Sequence, residues 1–258
     1  MNTKRIVLTL VMAALTTELA LTAENTETES SFTYVIVHGA SGGGWDWRTM
    51  DDLLTTRGHT VYRPTLTGLG ERAHLNSADV SLSTHITDVV NVIRFEDLHD
   101  VVLVGHSYGG MVTTGVMDAI PDRILHAIFL DADAPEDGQS AQDLWPVIVD
   151  NHEVKDGIVY FSWLDPANPV PGDVPQSLKT LTEPVSFDNP GALKIPATFI
   201  AFVPEGTTDA NLSGNASWRN AGKRGWSRLT LVSDHNAQRS HPEELADLLE
   251  SAPASSRR

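Results

Sequence analysis

The sequence predicts an α/β fold with a mostly parallel sheet and helices on both faces. Two observations carry this. From Phe32 onward, short apolar runs alternate with stretches of helical periodicity, the pattern that βαβ units produce. Several of the runs are apolar throughout or nearly so, Val101–Val104 without interruption and Leu125–Leu130 with only His126 polar, as expected of strands buried in a parallel sheet.

Taken in order, Thr33–Val37 is the first strand and leads into His38-Gly39-Ala40-Ser41-Gly42-Gly43-Gly44. A helix is expected from Trp45 to Arg57, ended by Gly58. A short strand, His59–Arg63, follows and is closed by Pro64. Leu82, Ile86, Val89, Val90 and Ile93 recur at helical spacing. Val101–Val104 and Leu125–Leu130 are strands flanking a helix over Met111–Ile120. From about 133 to 196 the periodicity breaks down. Prolines are dense there, and Trp145, Phe161, Trp163 and Phe187 are interspersed. Linkers rarely carry so many aromatics, so a cap over the site is expected. Alternation resumes with the strands Ala197–Val203 and Arg228–Val232. A final helix runs from about Glu243 to Ser251, and Ser240 and Glu243 fit a capping box.

A chain of 258 residues, 41% hydrophobic, suits one large domain, expected over 32–258. Its start has a different character. Lys4 and Arg5 precede the ten-residue apolar run Ile6–Leu15, the layout of a secretory signal and too short to span a bilayer. We expect a signal peptide over 1–23, a flexible leader over 24–31, a secreted or periplasmic location and no stable membrane insertion. Removing 1–23 takes away Lys4, Arg5 and Glu18, which leaves the chain one unit more negative than its formal −16. Such acidity argues against nucleic acid as a partner. The absence of cysteine excludes disulfides, a thiol nucleophile and cysteine-held zinc. No metal site is expected. Gly42–Gly44 lack the Gly-Lys-Ser/Thr of a phosphate loop, and Asp131–Gly138 carries Pro135 where a calcium loop needs a ligand.

The sharpest motif is Gly105-His106-Ser107-Tyr108-Gly109, with a buried strand before it and a helix after it. That context makes it a nucleophile elbow, in which a tight turn lifts Ser107 Oγ clear of the sheet at the positive end of a helix. A serine hydroxyl needs a base. His235, in the loop after Arg228–Val232, is the expected one, and His241 is the rival. The acid should fall between Ser107 and His235 in the chain. Asp131, closing the strand Leu125–Leu130, is the expected acid because a strand-end carboxylate is costly to bury without a partner. Glu205 after Ala197–Val203 is the alternative, with Asp133 and Asp209 behind it. The backbone N–H groups of Ala40 and Tyr108 are the expected donors to an oxyanion.

Four stretches, His38–Trp45, Leu66-Thr67-Gly68-Leu69-Gly70-Glu71-Arg72, Leu82-Ser83-Thr84-His85 and Gly105–Gly110, make the chain resemble the α/β-hydrolase superfamily over about 33–250. It is most similar in pattern to small bacterial serine esterases related to plant methylesterases and hydroxynitrile lyases. The resemblance implies an open sheet, a cap inserted after the sixth strand, no cofactor and hydrolysis of a small-molecule ester through an acyl-enzyme. Trp45 and Trp47 near the oxyanion loop, with the aromatics of the cap, suggest an apolar or aryl ester. Lactone or thioester hydrolysis, or ligand binding without catalysis, are the alternatives. The plant lyases carry lysine beside the catalytic histidine where this chain has Asn236, which argues against cyanohydrin cleavage. A dehalogenase would need a carboxylate at 107.

Overall fold

A computed structural model describes residues 31–254 apart from 166, 168 and 169. The expected signal peptide, and the leader except its last residue, lie outside the described residues. Six strands form the main sheet: β1 (Thr33–Val37), β2 (Thr60–Tyr62), β3 (Val101–His106), β4 (Ile124–Leu130), β8 (Ala197–Val203) and β9 (Ser227–Val232). Their spatial order is β2-β1-β3-β4-β8-β9, and every neighbouring pair is parallel.

The largely apolar runs have a simple cause: each central strand is covered on both sides. Val35, Val37, Leu103 and Phe129 face one core layer, with residues of α2 (Leu82–Phe95), α3 (Gly109–Ala119) and α8 (Ala216–Lys223). The alternate residues Tyr34, Ile36, Val104 and Ile128 face a second layer with α1 (Arg48–Thr56) and α10 (Pro242–Ala254). With period-2 alternation and two apolar faces, few polar positions are left in the runs, and the buried His126 of β4 and Thr198 of β8 bond each other at 3.0 Å.

The parallel arrangement brings the carboxyl ends of β3, β4 and β9 to one edge, where open α/β sheets bind ligands. The residues between β4 and β8 hold the short helices α4 (Ala141–Leu144), α5 (Val147–Asp150) and α6 (Lys179–Thr182). A second, antiparallel sheet lies among them, in the order β5-β6-β7: β5 (Glu153–Lys155), β6 (Ile158–Tyr160) and β7 (Gln176–Ser177). This insertion follows the fourth main-sheet strand in the described chain, not a sixth as the resemblance implies.

Two local expectations are corrected. The helix expected from Trp45 opens as a 3₁₀ turn, Gly44–Trp47, before α1 begins. Ser240 does not cap the last helix. It ends the short helix α9 (Ala237–Ser240), and its hydroxyl bonds Asp234 and Ser233. His241 separates α9 from α10, which starts at Pro242, a residue whose fixed φ suits a first helical position. A further short helix, α7 (Asp209–Leu212), follows β8.

Candidate active site

Between β3 and α3 the chain reverses within two residues, and Ser107 takes a φ of 54° there. A non-glycine residue in the left-handed region costs on the order of 1–3 kcal/mol, which the surroundings must hold in place. Here Ser107 N–H donates to the Leu130 carbonyl at 3.2 Å. The Ser107 carbonyl in turn accepts from Gly110 and Asp133 N–H, both at 3.0 Å. The motif glycines follow from close approach. A Cβ on Gly105 would strike the Thr113 hydroxyl, and one on Gly109 would lie 2.5 Å from the Val37 carbonyl oxygen.

Asp131 directly follows β4 with a φ of 41°, its N–H bound to the Ile200 carbonyl at 2.8 Å. Its carboxylate accepts a 2.6 Å hydrogen bond from Nδ1–H of His235, in the loop after β9. The pair therefore joins the ends of two strands separated in the sheet by β8. His106, the variable residue of the elbow motif, holds that loop from below. Its Nε2–H donates to the His235 carbonyl at 2.8 Å, and the two rings lie 4.7 Å apart. Burial lowers the His106 pKa to about 3. The ring is therefore neutral, with one N–H, and that proton is committed to the loop.

The other candidates separate clearly. Glu205, just past β8, is exposed, and no hydrogen bond joins it to His235 among the described residues. His241 bonds the Ser233 hydroxyl at 3.1 Å. Asp209 begins α7, and Asp133 lines the same cavity as Asp131.

The loop after β1 is fixed from two sides. On the sheet side, His38 Nδ1–H donates to the Gly39 carbonyl at 2.8 Å, and Nε2 accepts from Leu66 N–H at 3.1 Å. Burial lowers its pKa to about 4, consistent with this neutral tautomer. On the insertion side, Ser41 is gripped three times: its N–H by Gln176 Oε1 at 2.9 Å, its carbonyl by Val174 N–H at 2.9 Å, and its hydroxyl by Trp163 Nε1–H at 3.0 Å. Ala40 and Tyr108, whose N–H groups are the expected oxyanion donors, both line the cavity. The Tyr108 hydroxyl donates to His85 Nδ1 at 2.9 Å, and His85 Nε2–H donates to the Thr67 carbonyl at 2.9 Å. This explains why the Leu66–Arg72 and Leu82–His85 stretches accompany the elbow.

The cavity that these groups surround measures about 610 Å³, and Ser107, His235, Asp131, Trp145 and Trp163 line it. Trp45 and Trp47 do not. Trp47 is fully buried against His106, and Trp45 carries the Arg239 guanidinium over its ring. The tryptophans of the cavity therefore come from the insertion. Gln176 has no periodic signature in a two-residue strand, so nothing in the sequence singles it out.

Comparison with known proteins places this architecture. The model of the Alpha/beta hydrolase family matches residues 34–248. The chain belongs to the alpha/beta hydrolase family. Within the family it is 52% identical over 113 residues to a carbendazim hydrolyzing esterase of Nocardioides sp., covering 44% of this chain and 47% of that one. It is 33% identical over 105 residues to methylesterase 2 of Arabidopsis thaliana, covering 40% of each chain. These alignments span less than half the length of the curated relatives. Among solved structures, an extracellular alpha/beta-hydrolase from a Paenibacillus species is similar in fold, with a TM-score of 0.69 at 24% identity over 86% of this chain and 98% of the other. That protein is described as sharing structural and functional homology with tobacco salicylic acid binding protein 2.

Proposed function

We propose that this protein is a serine hydrolase that cleaves small carboxylic esters through an acyl-enzyme. The observation that carries the reading is the 2.6 Å Asp131–His235 hydrogen bond at the rim of the cavity that Ser107 also lines. Kinship with a carbendazim hydrolyzing esterase and with methylesterases supports ester hydrolysis.

In this reading Asp131 fixes the His235 tautomer with Nδ1 protonated, which leaves Nε2 as the base. Ser107 Oγ attacks the acyl carbon while its proton passes to Nε2. The Ala40 and Tyr108 N–H groups hold the oxyanion. Collapse breaks the bond to the alkoxy group, which leaves as the alcohol with the proton from Nε2. Water then repeats the sequence on the acyl-enzyme, releasing the acid and restoring Ser107. Residues 133–196 act as the cap, and Trp145 and Trp163 favour an apolar or aryl ester. Lactones and thioesters would pass through the same steps. The charged and apolar start of the chain supports export to the periplasm or beyond.

The test is Ser107→Ala. p-Nitrophenyl acetate turnover should fall to the uncatalysed rate while circular dichroism stays that of the parent. Undiminished turnover by the folded variant would sink the assignment.

A further inference from the structure

One carboxyl group in the cavity has no role in the steps above. Asp133 lines it, two residues beyond Asp131. Its backbone is fully engaged: N–H donates to the Ser107 carbonyl at 3.0 Å, and the carbonyl oxygen packs against Gly110. The residue cannot be displaced without disturbing the elbow. Its side chain, by contrast, makes no hydrogen bond or ion pair among the described residues. The neighbouring carboxylate Asp131 is committed to His235, and the cavity's guanidinium, Arg239, is committed to Asp46 at 2.5 Å.

A half-buried carboxyl without a partner is costly. Burial pushes Asp133 up to about 7, with His235 opposing the rise and Asp131 adding to it. The elements packed on either side contribute no charge: Gly110 from α3, and the Ser217 hydroxyl of α8, which accepts from Ala134 N–H at 3.0 Å. Among the described residues only His235, already bound to Asp131, offsets this charge. The rest of the lining points the same way, since Asp46, Asp131, Asp133 and Asp173 face a single arginine.

We propose that Asp133 is a specificity residue whose carboxylate receives a protonated amine of the substrate, so that the preferred esters carry a basic nitrogen beside an apolar or aryl frame. The amine supplies both the opposite charge and the N–H donors that the carboxylate lacks. This rests on the esterase reading for its substrates but not for its binding.

The test therefore has a binding arm and a turnover arm, both run above neutrality where the carboxyl is ionised. In the binding arm, calorimetry on Ser107→Ala compares benzylamine with benzyl alcohol. The amine should bind about tenfold or more tightly, the usual worth of a hydrogen bond to a charged group. Introducing Asp133→Asn should abolish the preference. Equal affinity for the two ligands with Asp133 present, or an amine preference that survives Asp133→Asn, overturns the proposal.

In the turnover arm, two isosteric pairs place the amine on either side of the ester: methyl 3-(aminomethyl)benzoate with methyl 3-ethylbenzoate, and 3-(aminomethyl)benzyl acetate with 3-ethylbenzyl acetate. The amine-to-neutral ratio of kcat/KM should fall about tenfold in Asp133→Asn for at least one pair. Ratios unchanged in both pairs would refute a specificity role, and an equal loss on all four esters would mark Asp133 as merely structural. Should no ester be turned over by the parent while the amine preference in binding holds, the esterase reading fails and the Asp133 assignment stands. Thermal melting adds an independent sign. Asp133→Leu should raise Tm if the carboxyl is kept for a ligand, and lower it if the carboxyl supports the fold.

Discussion

Three imidazoles under the elbow and its loops are held neutral by burial, and this makes the fold sensitive to acid in a calculable way. His38 and His85 have pKa values lowered to about 4, and His106 to about 3. A histidine depressed in the native state contributes stability that is present above its unfolded pKa of about 6.5 and is lost as pH falls toward the folded value. Between about pH 7.5 and pH 5, linkage gives a loss of roughly 2 kcal/mol per ring, and with His126 of β4, which burial also lowers to about 4, roughly 8 kcal/mol for four. Asp133 acts in the opposite direction. Its carboxyl is raised to about 7, so the penalty for ionising it is full above that value and is relieved on acidification, returning roughly 2–3 kcal/mol over the same interval. The net loss is then about 5–6 kcal/mol, a large share of the 5–15 kcal/mol typical of a domain. Urea unfolding at the two pH values measures it: the midpoint should fall by about 1 M or more at the lower pH, with the slope unchanged. Asp133→Asn removes the compensating group and should steepen the loss to about 8 kcal/mol. If that variant is as stable at about pH 5 as at pH 7.5, the buried rings are not neutral donors and the hydrogen-bond assignments at His38, His85 and His106 are wrong.

Two further outcomes concern the site. Asp131→Asn should lower kcat by about 10²–10⁴ with little change in KM, because an amide cannot hold the His235 tautomer; Glu205→Gln should leave both constants near the parent's, and the reverse pattern would transfer the acid's role to Glu205. Gln176→Leu removes the acceptor for the Ser41 N–H and should loosen the loop carrying Ala40, lowering kcat about tenfold or more while leaving the affinity of a neutral ligand such as benzyl alcohol within about twofold; parent-like kcat would show that the sheet side of the loop suffices.

Much of the fold was readable because burial on two faces leaves almost wholly apolar runs: Thr33–Val37 and Ala197–Val203 coincide with β1 and β8. The elbow was readable because its glycines answer to close backbone approaches that no other residue tolerates. Asp131 is singled out by the cost of a strand-end carboxylate, and it accepts a hydrogen bond from His235. The insertion was opaque for the opposite reason, since its strands are two or three residues long and too short to display a period. One signal there was nevertheless present: Asp156-Gly157, both at positive φ, joins β5 to β6, and Asp-Gly is a strong two-residue hairpin sequence. Ser240 and Glu243 had the spacing of a capping box, yet the chain bends at Pro242 and starts α10 there instead. Contacts such as His106 to the His235 carbonyl and Gln176 to Ser41 span 129 and 135 residues. No local pattern encodes pairings at that range.

The central claim is that Ser107 is a nucleophile activated by His235 and Asp131. A fluorophosphonate probe followed by peptide mapping by mass spectrometry tests it most directly. The account predicts a single adduct on Ser107, none in Ser107→Ala, and labelling slowed by about 10² or more in Asp131→Asn. An adduct on another hydroxyl, or labelling of Ser107→Ala at the parent's rate, would contradict it.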